Sequence, residues 1–88
     1  MNWMSPERKL AARNKCIARG MFFTNLQRAN ECVFTMNSHS AEPKGPRVQV
    51  AQVVCEDEHL GYMVLGTSER TKLAKSLGED YVIHFLSN

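Results

Sequence analysis

Arg47-Val48-Gln49-Val50-Ala51-Gln52-Val53-Val54-Cys55, then Glu56-Asp57-Glu58-His59, then Leu60-Gly61-Tyr62-Met63-Val64-Leu65 is the stretch whose reading decides the fold. The first run is dense in β-branched residues and reads as a strand. Val48 and Val50 share one face, whereas Val53 and Cys55 continue on the other. That change of phase at Ala51-Gln52 implies either a bulge or a strand covered on both faces. The acidic tetrapeptide is a polar turn, and Leu60–Leu65 returns as a second strand. Residues 47–65 therefore read as an antiparallel hairpin.

Toward the carboxyl end, Gly66 breaks the second strand and Thr67 or Ser68 caps a helix over Ser68–Leu77. Glu69 near its start and Lys75 near its end suit the helix dipole, and Gly78 is placed to end it. Leu73, Ala74 and Leu77 form its buried stripe. Tyr81–Leu86 is a last strand, apolar on both faces except for His84. A crossover through the helix would set it parallel to, and paired with, Leu60–Leu65.

Toward the amino end, Asn37–Pro46 is a loop, and Cys32–Met36 reads as a strand with Cys32, Phe34 and Met36 on one face. Thr24 and Gln27 fit a capping box, so Met21–Asn30 holds a short helical turn with Met21-Phe22-Phe23 at its entrance. The first element is a helix over Pro6–Arg19. Ser5 caps it, Pro6 takes the first helical position, and Gly20 in the left-handed region ends it. Leu10, Ile17 and Met21 share its buried stripe, opposite Arg8, Lys15 and Arg19. The predicted order is α-β-β-β-α-β. This is a single α+β domain over 1–88, in two layers: about four mostly antiparallel strands with two helices on one face.

A chain of 88 residues supplies one core. Its 43% hydrophobic and 23% charged content is that of a globular protein rather than a disordered one. A domain of this size buries roughly 60–65% of its unfolded surface, which disfavours a deep cleft. No run approaches the ~20 apolar residues of a membrane span, and the start shows no secretory signal. Cys16, Cys32 and Cys55 are an odd count beside apolar neighbours. They read as reduced thiols used as small core hydrophobes, in a cytoplasmic protein.

Candidate sites are few. No Cys-x-x-Cys or His-x-x-x-His pair occurs; Cys55 and His59 are four apart but straddle a turn, so no metal or cofactor is expected. Glu56-Asp57-Glu58 reads as a solvated turn rather than a hard-cation site. No nucleophile elbow accompanies the serines and histidines, so no enzyme is expected.

Charge is the uneven feature. Residues 1–30 carry six basic side chains and one acid, whereas residues 31–88 carry five basic and eight acidic ones. The cations Arg8, Lys9, Arg13, Lys15 and Arg19 make the first helix a candidate electrostatic anchor. Met21, Phe22 and Phe23 would form the packed centre of the contact. Arg70, Lys72 and Lys75 add a second basic helix. An α-β-β-β-α order over residues 6–77, with the string Gly66–Ala74, resembles double-stranded-RNA-binding domains. Glu69 departs from that pattern, standing where the family usually has a basic residue, and Tyr81–Leu86 is an extra element. The resemblance implies RNA-type binding through the two basic helices.

The leading expectation is a small non-enzymatic binding, inhibitor or regulatory protein. It would dock on a protein or ribonucleoprotein, in the manner of phage or mobile-element-encoded regulators, with self-association into a homodimer also open. The alternative is a nucleic-acid-binding module.

Overall fold

The central hairpin forms, and its turn is tighter than the sequence predicts. A computed structural model describes residues 4–38 and 48–86. Its elements in chain order are α1 (Pro6–Ile17), β1 (Phe22–Phe23), α2 (Leu26–Ser38), β2 (Gln49–Cys55), β3 (Glu58–Leu65), α3 (Thr67–Leu77) and β4 (Tyr81–Phe85). Strands β2 and β3 pair antiparallel through a two-residue turn, with Cys55 opposite Glu58. The turn residues Glu56 and Asp57 have φ of 50° and 67°. Both are left-handed, as the twist of a short hairpin demands.

The sheet is four-stranded, in the order β1-β3-β2-β4, and every pairing is antiparallel. This bears out the α+β architecture. The predicted pairing of the last strand with Leu60–Leu65 is overturned. Strand β4 runs in the same direction as β3, but β2 lies between them and takes both sets of hydrogen bonds. Eleven residues of α3 carry the chain across that intervening strand.

Of the two explanations offered for the phase change in β2, the covering on both faces is the one that applies, and the strand itself alternates without a break. The strand is covered on both faces: Ala51, Val53 and Cys55 join one core cluster, and Val50 joins another with Ala29 and Val64. The bulge lies on β3, opposite the step from Val53 to Val54. Val53 pairs with Gly61 and Val54 with His59, leaving Leu60 as the extra residue on β3. Leu60 is fully buried in the first cluster.

The first cluster sits beneath two helices. Ala12 and Cys16 reach it from α1, and Leu77, Leu73 and Ala74 from α3. The predicted pair of helices on one face is therefore present. A third helix, α2, covers the opposite face with Ala29, Cys32 and Val33. The predicted strand at Cys32–Met36 is thus wrong, and so is the Thr24–Gln27 cap. Asn25 is the cap: its Oδ1 accepts from the N–H groups of Gln27 at 2.8 Å and Arg28 at 3.3 Å. Once started there, the chain gains burial by repeating at helical spacing, with Ala29, Cys32 and Val33 inward. That outweighs the strand preference of a Val-Phe-Thr string. Phe34, expected on the same face as Cys32, is turned outward and is 74% exposed.

Other local expectations need correction. Helix α1 ends at Ile17 with a right-handed cap at Ala18, so Gly20 does not close it in the left-handed region. Gly66 caps α3, helped by the Glu69 carboxylate accepting from its N–H, in place of Thr67 or Ser68. Gly78 does end α3, at φ 112°. Most of the predicted loop Asn37–Pro46 lies outside the described residues, as do Trp3 and Arg47. Within it, Asn37 and Ser38 are the last residues of α2. Asn37 spans the gap to β2 by exchanging two side-chain hydrogen bonds with the Val48 main chain, each 3.3 Å. No helix among the described residues is long and apolar enough to cross a membrane.

Gly61 permits the edge pairing of β1. A Cβ there would stand 2.5 Å from the Phe22 ring and 2.6 Å from the Phe23 carbonyl oxygen. The ring can move, but the paired backbone cannot. Gly61→Ala should therefore cost about 1–3 kcal/mol of unfolding free energy and detach β1, as overpacking does. Denaturant titration with amide exchange at Phe22–Phe23 measures both effects.

Candidate functional site

Helix α1 turns out to meet the body with the face that carries its cations. The interface is made by small residues, Ala12 and Cys16, which let the helix approach closely. Leu10 and Ile17 point outward, 58% and 55% exposed, and Met21 is 41% exposed, so the predicted apolar stripe is not the buried one. A stripe of long apolar chains would hold the helix away from β2 and β3, where Ala12 and Cys16 fit.

The long cations reach around that contact to acceptors on the body. Arg8 pairs with Glu56 and Lys9 with Glu58, the latter at 3.4 Å. Arg13 Nε donates to the carbonyl of Leu60 at 3.1 Å, which gives the bulged residue's oxygen a partner. Lys15 Nζ donates to the Leu77 carbonyl at 2.9 Å, closing the end of α3, and lies 5.3 Å from the Tyr81 ring centre. Arg19 Nε donates to Ser76 Oγ at 2.6 Å, and its terminal nitrogen to the Lys15 carbonyl at 2.8 Å. All five cations of the candidate anchor thus have intramolecular partners. Glu56 and Glu58, read as a solvated turn, supply two of them.

The apolar part of the candidate contact is divided. Phe22 packs on the first core cluster and Phe23 on the second. Met21 stays at the surface, its sulfur 3.7 Å from Cys32 Sγ. On α3, Lys72 and Lys75 are exposed and Arg70 half-buried, and these three side chains have no hydrogen-bond or ion-pair partner among the described residues. They lie on the other side of the sheet from α2.

Two shallow cavities flank the first core. One, of about 270 Å³, has Met63, Leu65 and Leu73 as its floor and Arg19, Glu69 and Lys72 at its rim. The other, of about 320 Å³, opens over Cys55 and Tyr81 between Arg8 and Asp80. Neither offers an activated nucleophile. Burial pushes the Cys16 thiol up to about 11, with Cys55 adding to the effect. Burial also raises Cys55, aided by Glu56, and raises Tyr81. These groups are neutral near pH 7, the opposite of what nucleophilic chemistry needs. Cys55 and His59, four apart in sequence, face opposite sides of the sheet, and no group of three His, Cys, Asp or Glu converges among the described residues.

The larger open surface is on the sheet itself. Helix α2 covers only the half of its face around Val50, Val64 and Tyr62. Beyond it run two cross-strand rows: Tyr62–Gln52–His84 and His59–Val54–Val82. Val82 is 43% exposed, His59 and His84 are exposed, and Gln52, Val54 and Tyr62 are half-buried. The His59 and Tyr62 rings meet edge to face at 5.0 Å. Sequence reading missed these residues. Their only signal was the alternation Val82, His84, Leu86, hidden because the intervening Tyr81, Ile83 and Phe85 are also apolar.

Arg13→Met should destabilise the fold by about 1–2 kcal/mol by leaving the Leu60 carbonyl unpaired, whereas Lys72→Met should change it by less than about 0.5 kcal/mol. Chemical denaturation of the two variants checks this. In the folded chain at neutral pH, an alkylating reagent should modify half-buried Cys32 first and fully buried Cys16 last. Because the folded Cys16 thiol titrates above its ordinary 9.0, its contribution is complete below pH 9 and is lost toward about pH 11. Unfolding midpoints measured between those pH values should fall. Compared with protein-family models, with curated proteins and with solved structures, the chain matches none.

Proposed function

We propose that this chain is a small non-enzymatic binding protein, of the inhibitor or regulator kind, that docks on a protein partner through the uncovered half of its sheet. The observation that supports this reading is the pair of rows Tyr62–Gln52–His84 and His59–Val54–Val82 left open beside α2. The neighbouring positions Val50 and Val64 are buried under α2, and Tyr62 borders that covered half. The rows hold apolar, amide, phenol and imidazole groups and no carboxylate, lysine or arginine. That mixture of flat apolar area and adaptable polar tips suits a neutral, partly apolar protein surface.

The same composition weighs against a phosphate backbone. Stacking of bases on Tyr62 or His59 would need cations beside them to hold the phosphates. The α1 cations are engaged with the body, and Arg70, Lys72 and Lys75 lie across the sheet. The basic helices thus serve this proposal as structure and as solvated surface. A protein component of a ribonucleoprotein fits it as well as a free protein.

Retention of a partner by the immobilised chain tests the reading. Gln52→Lys with His59→Glu should weaken retention at least about tenfold, near 1.4 kcal/mol, with the fold unchanged by circular dichroism. Arg70→Glu with Lys72→Glu should leave it unaltered, and nuclease treatment should not release the partner. Retention that instead collapses with nuclease, with salt and with the α3 charge reversals would replace this reading by the nucleic-acid one.

A further inference from the structure

The two edges of the sheet are built differently. Strand β1 is two residues long, so that edge is blunted. Strand β4 spans five residues, Tyr81–Phe85, and among the described residues pairs only with β2. The Leu86 N–H donates to the Val50 carbonyl, and the Glu56 N–H to the Asp80 carbonyl. Even-numbered positions of this strand therefore aim their main-chain groups at β2. By the alternation of an antiparallel ladder, Tyr81, Ile83 and Phe85 turn theirs outward. Exposed edges are normally protected by charge, proline or a bulge. Strand β4 contains no Lys, Arg, Asp, Glu or Pro, and its register with β2 runs without a shift.

We infer that the free edge of β4 pairs antiparallel with β4 of a second copy of this chain, about a two-fold axis at Ile83, joining the two sheets into one. Register favours this arrangement. Centred on Ile83, Tyr81 meets the partner's Phe85, Ile83 meets its own equivalent, and every outward residue is engaged, for about six hydrogen bonds. Moving the centre one residue either way leaves one of the three outward residues of each copy without its counterpart. Charge agrees. The acidic pair just before the strand, Glu79-Asp80, is carried to opposite ends of an antiparallel pair, whereas a parallel pair would align the two.

Side chains also agree. Val82 meets the partner's His84 as a close non-hydrogen-bonded pair on the open face. On the other face the half-buried Tyr81 and Phe85 become cross-strand aromatic neighbours. The contact is isologous, so the two β4 edges satisfy each other and assembly through this edge stops at the dimer. The inference goes beyond the binding proposal: a strictly monomeric chain that still retains its partner would refute the dimer alone.

Sedimentation of the whole chain from micromolar to millimolar concentration should show a reversible monomer–dimer equilibrium. Val82→Lys with His84→Lys places ammonium groups opposite each other at both crossings and should weaken association at least about tenfold. Val82→Glu with His84→Lys places opposite charges at the same crossings and should restore it. As a check independent of those variants, Val82→Cys chains mixed with His84→Cys chains, both carrying Cys32→Ser, should form a disulfide-linked heterodimer that neither forms alone. A wild-type chain monomeric throughout would overturn the inference. So would association indifferent to the charge variants, or the absence of the mixed disulfide.

Discussion

Leu60 holds a position that the rest of the structure is arranged around. It is the one residue of β3 with no counterpart on β2, and its side chain is buried in the cluster beneath α1 and α3. A bulge of this kind disrupts the ladder locally and leaves main-chain groups to be satisfied elsewhere. Here the Leu60 carbonyl receives Arg13 from α1. The same feature that fills the core therefore fastens the first helix across it. Beyond the bulge, Met63 and Leu65 face one cluster and Val64 the other. The sheet consequently has two hydrophobic faces, and three helices are needed to cover them.

The electrostatics follow from that packing rather than directing it. Ala12 and Cys16 permit a close approach, and the cations around them extend over the body to carbonyls and carboxylates. The Arg8–Glu56 pair is largely exposed and contributes little by itself. Hydrogen bonds from Arg13 and Lys15 to carbonyls at the bulge and at the end of α3 matter more, because they are part-buried and tie α1 to β3 and α3. A helix that reads as a cationic rod in isolation is, in the fold, a fitted brace. Its outer surface shows Leu10, Ile17 and Asn14.

Coverage of the second face is incomplete. Helix α2 is anchored at one end by Asn25 and at the other by Asn37 on Val48, which keeps it over the β1 side of the sheet. The β4 side is left with two open rows and a regular strand edge. Burial holds the Cys16 and Cys55 thiols protonated.

The sequence by itself determined the elements whose signals are local. The hairpin over Gln49–Leu65, the Ser5 cap of α1, the helix ending at Gly78 and the last strand all rest on contacts within a few residues. Turn chemistry, capping and alternation report such contacts directly. It also offered a β2 covered on both faces, which holds, but the alternative bulge at Ala51-Gln52 is not there; the extra residue is Leu60 on β3. Tertiary structure alone decided the rest. Cys32–Met36 is helical because Val50 and Val64 offer a second apolar face to cover. Strand β4 joins β2 because β3 already has β1 on its other side, leaving the outer edge of β2 as the one to extend. The α1 cations turn inward because small residues pack more closely than Leu10 and Ile17 can. Each of these outcomes depends on a partner distant in the chain, and neither periodicity nor composition encodes where that partner will lie.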